Sequence, residues 1–177
     1  MFDDSDIKIA NGPILNKQKN IDNDLDVLTP EQIKNSKALG SNIAQKFIES
    51  VNNTFAHDAE DTQLHLQRQL LLSFTVSVSL DEYCINDTVS GISEKSFLDT
   101  VKNNAPEIYN TCTDTGSFSF YYLAYRRQND IERRIGQTFA MLCSHDGDPI
   151  YQELGEALYC WFASVIKKET AKLNLNK

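Results

Sequence analysis

The sequence predicts an all-α protein: a single-domain bundle of about five helices over residues 29–177, behind a loosely ordered polar tail at residues 1–28. Three observations carry this. Beyond residue 29, apolar residues return every three or four positions through most of the chain, the period of a helix buried along one stripe. Several of these stretches open on a residue able to cap a helix, followed by proline or by a capping partner. Only two segments, 72–80 and 117–125, have strand-like composition, and together they would make one isolated two-stranded ribbon, the α+β alternative, which has little stability of its own. The length of 177 residues, with 41% hydrophobic and 24% charged residues, suits one well-formed core.

The elements follow in order. Residues 1–28 are rich in Asn, Asp and Lys and show no sustained period. Within and just beyond them, "DNDLDVLTPEQI" alternates Asp22, Asp24 and Asp26 as a calcium loop does, but Val27 and Ile33 stand where such a loop needs glycine and a bidentate glutamate. The same stretch makes a good helix start, because Thr29 can cap, Pro30 fits the first helical position and Gln32 completes a capping box. Ile33, Gly40, Ile43, Phe47, Val51 and Phe55 then hold helical spacing to about His57, and Asp58 can cap the next element.

That next element contains "LLLSFTVSVSLDEY", where Leu72, Phe74, Val76, Val78 and Leu80 alternate with Ser and Thr at the period of a half-buried strand. Upstream, "TQLHLQRQLLL" is helix-forming and runs into it without Gly or Pro. Leu64, Leu71 and Val78 form one helical stripe, and Leu66, Leu70, Phe74 and Ser77 another, so we read a buried central helix. Its hydroxyls can bond to carbonyls one turn back and enter a core satisfied. A loop through "INDTVSGIS" follows, and Ser93 is predicted to cap a shorter helix carrying Phe97, Leu98, Val101 and Ile108, disturbed near Pro106. From Asp114 and Thr115, one helix of some six turns is predicted to hold Phe120, Ala124, Ile131, Ile135, Phe139 and Leu142 on a single face. The last helix starts at Asp148 and Pro149, with Ile150, Leu154, Leu158, Trp161, Phe162 and Val165, and ends in "KKETAKLNLNK". Lysines there suit the negative end of the helix dipole.

Composition limits function. A net charge of −8 opposes nucleic acid as a partner, since phosphate binding relies on a basic surface. No stretch approaches the length of a membrane helix and the N-terminus lacks a signal-peptide pattern, so the expectation is a cytoplasmic protein without membrane contact. There Cys84, Cys112, Cys143 and Cys160 are expected to be free thiols, used as small buried hydrophobes. No nucleotide-binding glycine pattern is present and no cofactor is expected.

Two segments concentrate chemistry. In "LCSHDGDPIY", Cys143, His145, Asp146 and Asp148 are weak metal-ligand candidates, and with other ligands they would suit a metal-dependent hydrolase. Yet Gly147, Asp148 and Pro149 spell the joint between two helices, and three consecutive residues, Ser144, His145 and Asp146, cannot converge as a catalytic triad. His57 and His65 belong to no metal-binding motif. In "YRRQNDIERR", Arg126, Arg127, Arg133 and Arg134 fall in nine residues, and on one helix residues seven apart would align as two cationic stripes. They are either neutralised by Asp130, Glu132 and neighbouring acids or open to an anion, which a guanidinium fork grips at two points. Phe118, Phe120, Tyr121, Tyr122 and Tyr125 precede them, too many rings for one inner face, so some tyrosines are expected to point outward, toward a pocket or a protein contact. The predicted function is therefore a helical protein working through protein contacts, with self-association through its C-terminal helices as one form of this. The alternative is a binding module for an anionic small molecule held by these arginines and tyrosines.

Overall fold

A computed structural model describes residues 28–52, 62–127 and 129–177. The stretch Asp22 to Asp26, and Phe55, His57 and Asp58, lie outside the described residues, as does all of the polar tail except Leu28, which packs against a core. Among the described residues seven helices follow one another: α1 Pro30–Asn52, α2 Thr62–Tyr83, α3 Asp87–Asn104, α4 Pro106–Thr113, α5 Thr115–Tyr125, α6 Ile131–Leu142 and α7 Pro149–Lys172. The all-α reading holds. The only β-type pairing among them is one antiparallel bridge, Cys84 to Asn176.

Two of the predicted helices divide, which raises five to seven. The third begins at Asp87, not at Ser93, because Asn86 caps it by accepting from the Val89 N–H at 2.9 Å, while the Ser93 hydroxyl donates to the Val89 carbonyl one turn back. It then ends at Asn104, and Pro106, which has no N–H to continue a helix, opens α4. The predicted six-turn helix ends at Tyr125 and restarts at Ile131. Asn and Asp favour local bonds over helix interiors, and Asp130 takes a left-handed backbone, φ 52°.

The α1 start is the predicted capping box: the Thr29 N–H donates to Gln32 Oε1 at 3.0 Å, and the Gln32 N–H donates to Thr29 Oγ1 at 3.2 Å. Asp148 likewise caps α7 by accepting from the Ile150 N–H at 2.9 Å, ahead of Pro149.

α2 explains why its sequence imitates a strand. Every residue from Gln67 to Leu80 is buried. Leu72, Val76 and Leu80 enter one core with α1, α3, α4 and the end of α7, whereas Leu70, Leu71, Phe74 and Val78 enter a second with α5, α6 and the start of α7. At about 100° per residue, positions two apart on a helix diverge by roughly 200° and positions four apart nearly coincide. Alternation is then the sum of two opposite i,i+4 stripes, one for each core. Of the hydroxyls between them, Thr75 Oγ1 donates to the Leu71 carbonyl one turn back at 2.8 Å, as expected, and Ser73 Oγ instead to Cys112 Sγ at 3.2 Å.

The two cores are closed by tight crossings. A Cβ on Gly40 of α1 would lie 2.1 Å from the Ser93 carbonyl oxygen of α3, and one on Gly136 of α6 would lie 2.3 Å from that of Gln152 in α7. Only glycine lets these backbones meet. After α7, Asn174 turns left-handed (φ 53°) and buries Leu175 in the first core. The chain then lies along the α2–α3 corner, with the Ile85 N–H donating to the Leu175 carbonyl at 2.8 Å and the Lys177 N–H to the Tyr83 carbonyl at 3.1 Å. Cys84, Cys112 and Cys143 are buried free thiols, but Cys160 is exposed, since α7 turns that side outward. Among the described residues no helix is long and apolar enough to cross a membrane.

Candidate functional site

With the predicted six-turn helix divided, α5 and α6 pack against one another and an open cleft of about 380 Å³ lies between them. From α5 and the turn after it come Phe120, Leu123, Ala124 and Arg127. α6 contributes Arg134, Gln137, Thr138 and Met141, whose i, i+3, i+4, i+7 spacing is one stripe of a helix. Asp146 from the following turn and Gln152 from α7 complete the lining. The apolar residues are unusually open, with Phe120 51%, Leu123 62% and Met141 42% exposed. Phe120, expected on the inner face, points outward because the helix divides.

The division also redistributes the arginines. Arg126 and Arg127 belong to the turn after α5, and Arg133 and Arg134 to the first turn of α6, so the two parallel stripes do not form. Arg127 and Arg134 nevertheless share the cleft. Arg134 is half-buried and oriented by its own turn, Nε donating to the Asn129 carbonyl at 2.9 Å, which leaves its terminal nitrogens to the cleft. Among the described residues none of Arg126, Arg127, Arg133 and Arg134 makes an ion pair, with Asp130 and Glu132 or with any other acid. The remaining arginine, Arg68, is buried and donates to the Ser50 carbonyl at 2.6 Å, tying α2 to the end of α1.

The tyrosines face the other way. Phe74 of α2 lies among Phe118, Tyr121, Tyr122 and Tyr125 of α5, at ring-centroid distances of 6.2, 5.5, 5.1 and 6.1 Å. Tyr121 is fully buried and Tyr122 and Tyr125 are partly so; none of them lines the cleft. Burial holds the phenols neutral, pushing Tyr122 and Tyr125 each up to about 12, with the Glu82 carboxylate adding to the effect at Tyr125. Sequence reading thus named three of the cleft's residues, Arg127, Arg134 and, as a metal-ligand candidate, Asp146, and placed none of its apolar residues there. The signal for the rest was the Arg134, Thr138, Met141 spacing, hidden by extending the helix through Asn129 and Asp130.

The segment after α6 forms a turn. Ser144 adopts the left-handed conformation (φ 63°), its N–H donates to the Met141 carbonyl at 3.0 Å and that of His145 to the Ala140 carbonyl at 2.9 Å, which satisfies the carbonyls at the helix end. Ser144, rather than Gly147, therefore ends the helix; Gly147 (φ 79°) turns the chain toward Asp148. The His145 ring stacks on Tyr151, centroids 3.7 Å apart and 9° from parallel. Cys143 is buried among the apolar residues of the second core. Among the described residues no three of His, Cys, Asp and Glu are grouped as a metal site would require. His65 bonds through Nε2 to the Gln69 side chain at 2.8 Å.

No protein-family model matches the chain, and neither a curated protein nor a solved structure resembles it significantly.

Proposed function

We propose that this protein is an interaction module whose working surface is the cleft between α5 and α6, and that it binds an acidic segment of a protein partner anchored by a large apolar side chain. The observation that carries this is the pairing of two guanidinium groups with three half-exposed apolar residues at one opening, on a molecule whose net charge is −8. Arg, Met and aromatic residues are the types enriched at protein interfaces, and a guanidinium fork suits a carboxylate. The openness favours a peptide over a free anionic small molecule, because a small ligand is ordinarily buried over most of its surface.

Display selection of random peptides on the full chain tests this, with the Arg127→Glu, Arg134→Glu double variant as counter-selection. Enriched peptides are expected to carry Asp or Glu beside Leu, Phe or Trp. For such a peptide Arg127→Ala should weaken binding by about tenfold, the low end of one charge-assisted hydrogen bond of ~1.5–3 kcal/mol. Added salt should weaken it further. Wild type and double variant selecting the same peptides would overturn the reading.

A further inference from the structure

The most extended apolar feature outside the cleft is on α7. Ile150 is 73% exposed, Leu154 38% and Trp161 48%, and Ala157 between them is exposed. Their spacing of four, three and four is that of a coiled-coil seam. Gln152, which lines the cleft, lies two residues from Ile150 and Leu154 and so on the opposite side of the same helix, at about 200°. Along α7 the seam and the cleft lie on opposite faces, and they approach each other only at the turn that holds Asp146.

The seam changes character along its length. Its N-terminal end is apolar and flanked by acids: Asp148 precedes Ile150, and Glu153 beside it is exposed. Beyond Trp161 and Ser164 the same line continues as exposed Lys168 and Lys172, and Lys172 already bonds Glu169 Oε1 at 2.7 Å. Lys168 stands on the seam with no ion pair among the described residues. A copy laid parallel would set Lys168 on Lys168. A copy laid antiparallel sets apolar on apolar and lysine on acid. Centred between Ala157 and Leu158, that arrangement brings Leu154 against the other copy's Trp161, Ile150 against its Ser164 and Val165, and Lys168 over its Asp146–Asp148 turn.

We infer that α7 is a self-association surface, pairing two copies of this chain antiparallel about a two-fold axis near Ala157. Such an interface is isologous, so one patch complements itself. Overlap from Ile150 to Lys168 runs about 27 Å, at 1.5 Å per residue, and one helix pair falls below the usual size of a permanent interface. The dimer is therefore reversible and concentration-dependent.

Sedimentation velocity of the full chain from about one to several hundred micromolar tests this. Wild type should rise from the 20.1 kDa monomer toward twice that mass. Ile150→Glu, at a position too exposed to disturb folding, and Trp161→Glu should each raise the dissociation constant at least tenfold with an unchanged circular dichroism spectrum. Orientation is read by a short bis-maleimide. Native Cys160, exposed and close to the axis, should join two copies, whereas Lys168→Cys in a Cys160→Ser background should not. A wild type monomeric throughout, variants that dimerise equally, or efficient joining through residue 168 would each overturn the proposal. So would a dimer that appears only after residues 1–27 are deleted, which would assign the seam to the chain's own N-terminal segment.

Discussion

Ser144 is a non-glycine residue held left-handed at the end of α6, a conformation that costs an L-residue roughly 1–2 kcal/mol. Glycine there would remove that cost but add about 0.4–1 kcal/mol of unfolded-chain entropy. Ser144→Gly should therefore stabilise by several tenths of a kcal/mol up to about 1, measurable as a shift in the urea midpoint with an unchanged slope. Tyr122 and Tyr125 make a pH prediction. Both phenols are raised to about 12 by burial, so between pH 10 and 12 the unfolded chain loses protons that the folded chain keeps. Stability is then fully present below pH 10 and falls as pH rises toward 12. Thermal unfolding at pH 9 to 11.5 should show this decline, with a shallower slope for Tyr122→Phe. An equal slope in that variant would mean that its phenol titrates alike in both states.

At the scale of elements, the crossing of α1 and α3 depends on the missing side chain of Gly40. Alanine is the better helix former by about 1 kcal/mol, but its methyl would meet the Ser93 backbone, which cannot yield as a flexible side chain can. Overpacking costs typically ~1–3 kcal/mol, more against backbone. Gly40→Ala should destabilise by a net of about 2 kcal/mol or more, read from chemical denaturation. A neutral result would mean that the helices slide apart freely. Gly40 also marks the limit of sequence reading, which placed it on the inner stripe of α1 but could not see what it touches. Thr29 with Gln32 and Asp148 were legible as caps because their partners are local, whereas Asn86 and Ser144 were passed over for Ser93 and Gly147. Breaks were less so: Pro106 was seen to disturb its helix, but Asn129 and Asp130 were carried through as helix because the apolar rhythm resumes in phase beyond them. The left-handed Asp130 makes the break locally, α5 then packs on α2 and α6 on α7, and the cleft comes with it. Arg127 and Arg134 were therefore singled out for a reason that does not hold, their alignment on one helix, although both line the cleft.

Over the whole molecule, the two cores are joined by α2 and α7, and the first is completed by the segment after α7. Leu175 is buried there, and backbone bonds from Ile85 to Leu175 and from Lys177 to Tyr83 hold the segment at and after it. Replacing a buried leucine with alanine costs ~2–5 kcal/mol, with the low end expected where a surface segment can relax into the space. Leu175→Ala should thus destabilise by about 2 kcal/mol in a single cooperative transition seen equally by circular dichroism and by Trp161 fluorescence. Separate transitions by the two probes would show that the cores melt independently. The placement of α2 argues against independence. A helix with apolar stripes in two cores has no solvent side along which to fray, so its middle amides can open only when both cores do. In hydrogen–deuterium exchange, residues 70–80 should be the slowest in the chain, uniformly rather than with the one-face rhythm of an ordinary surface helix, and their exchange rates should report the stability of the whole fold.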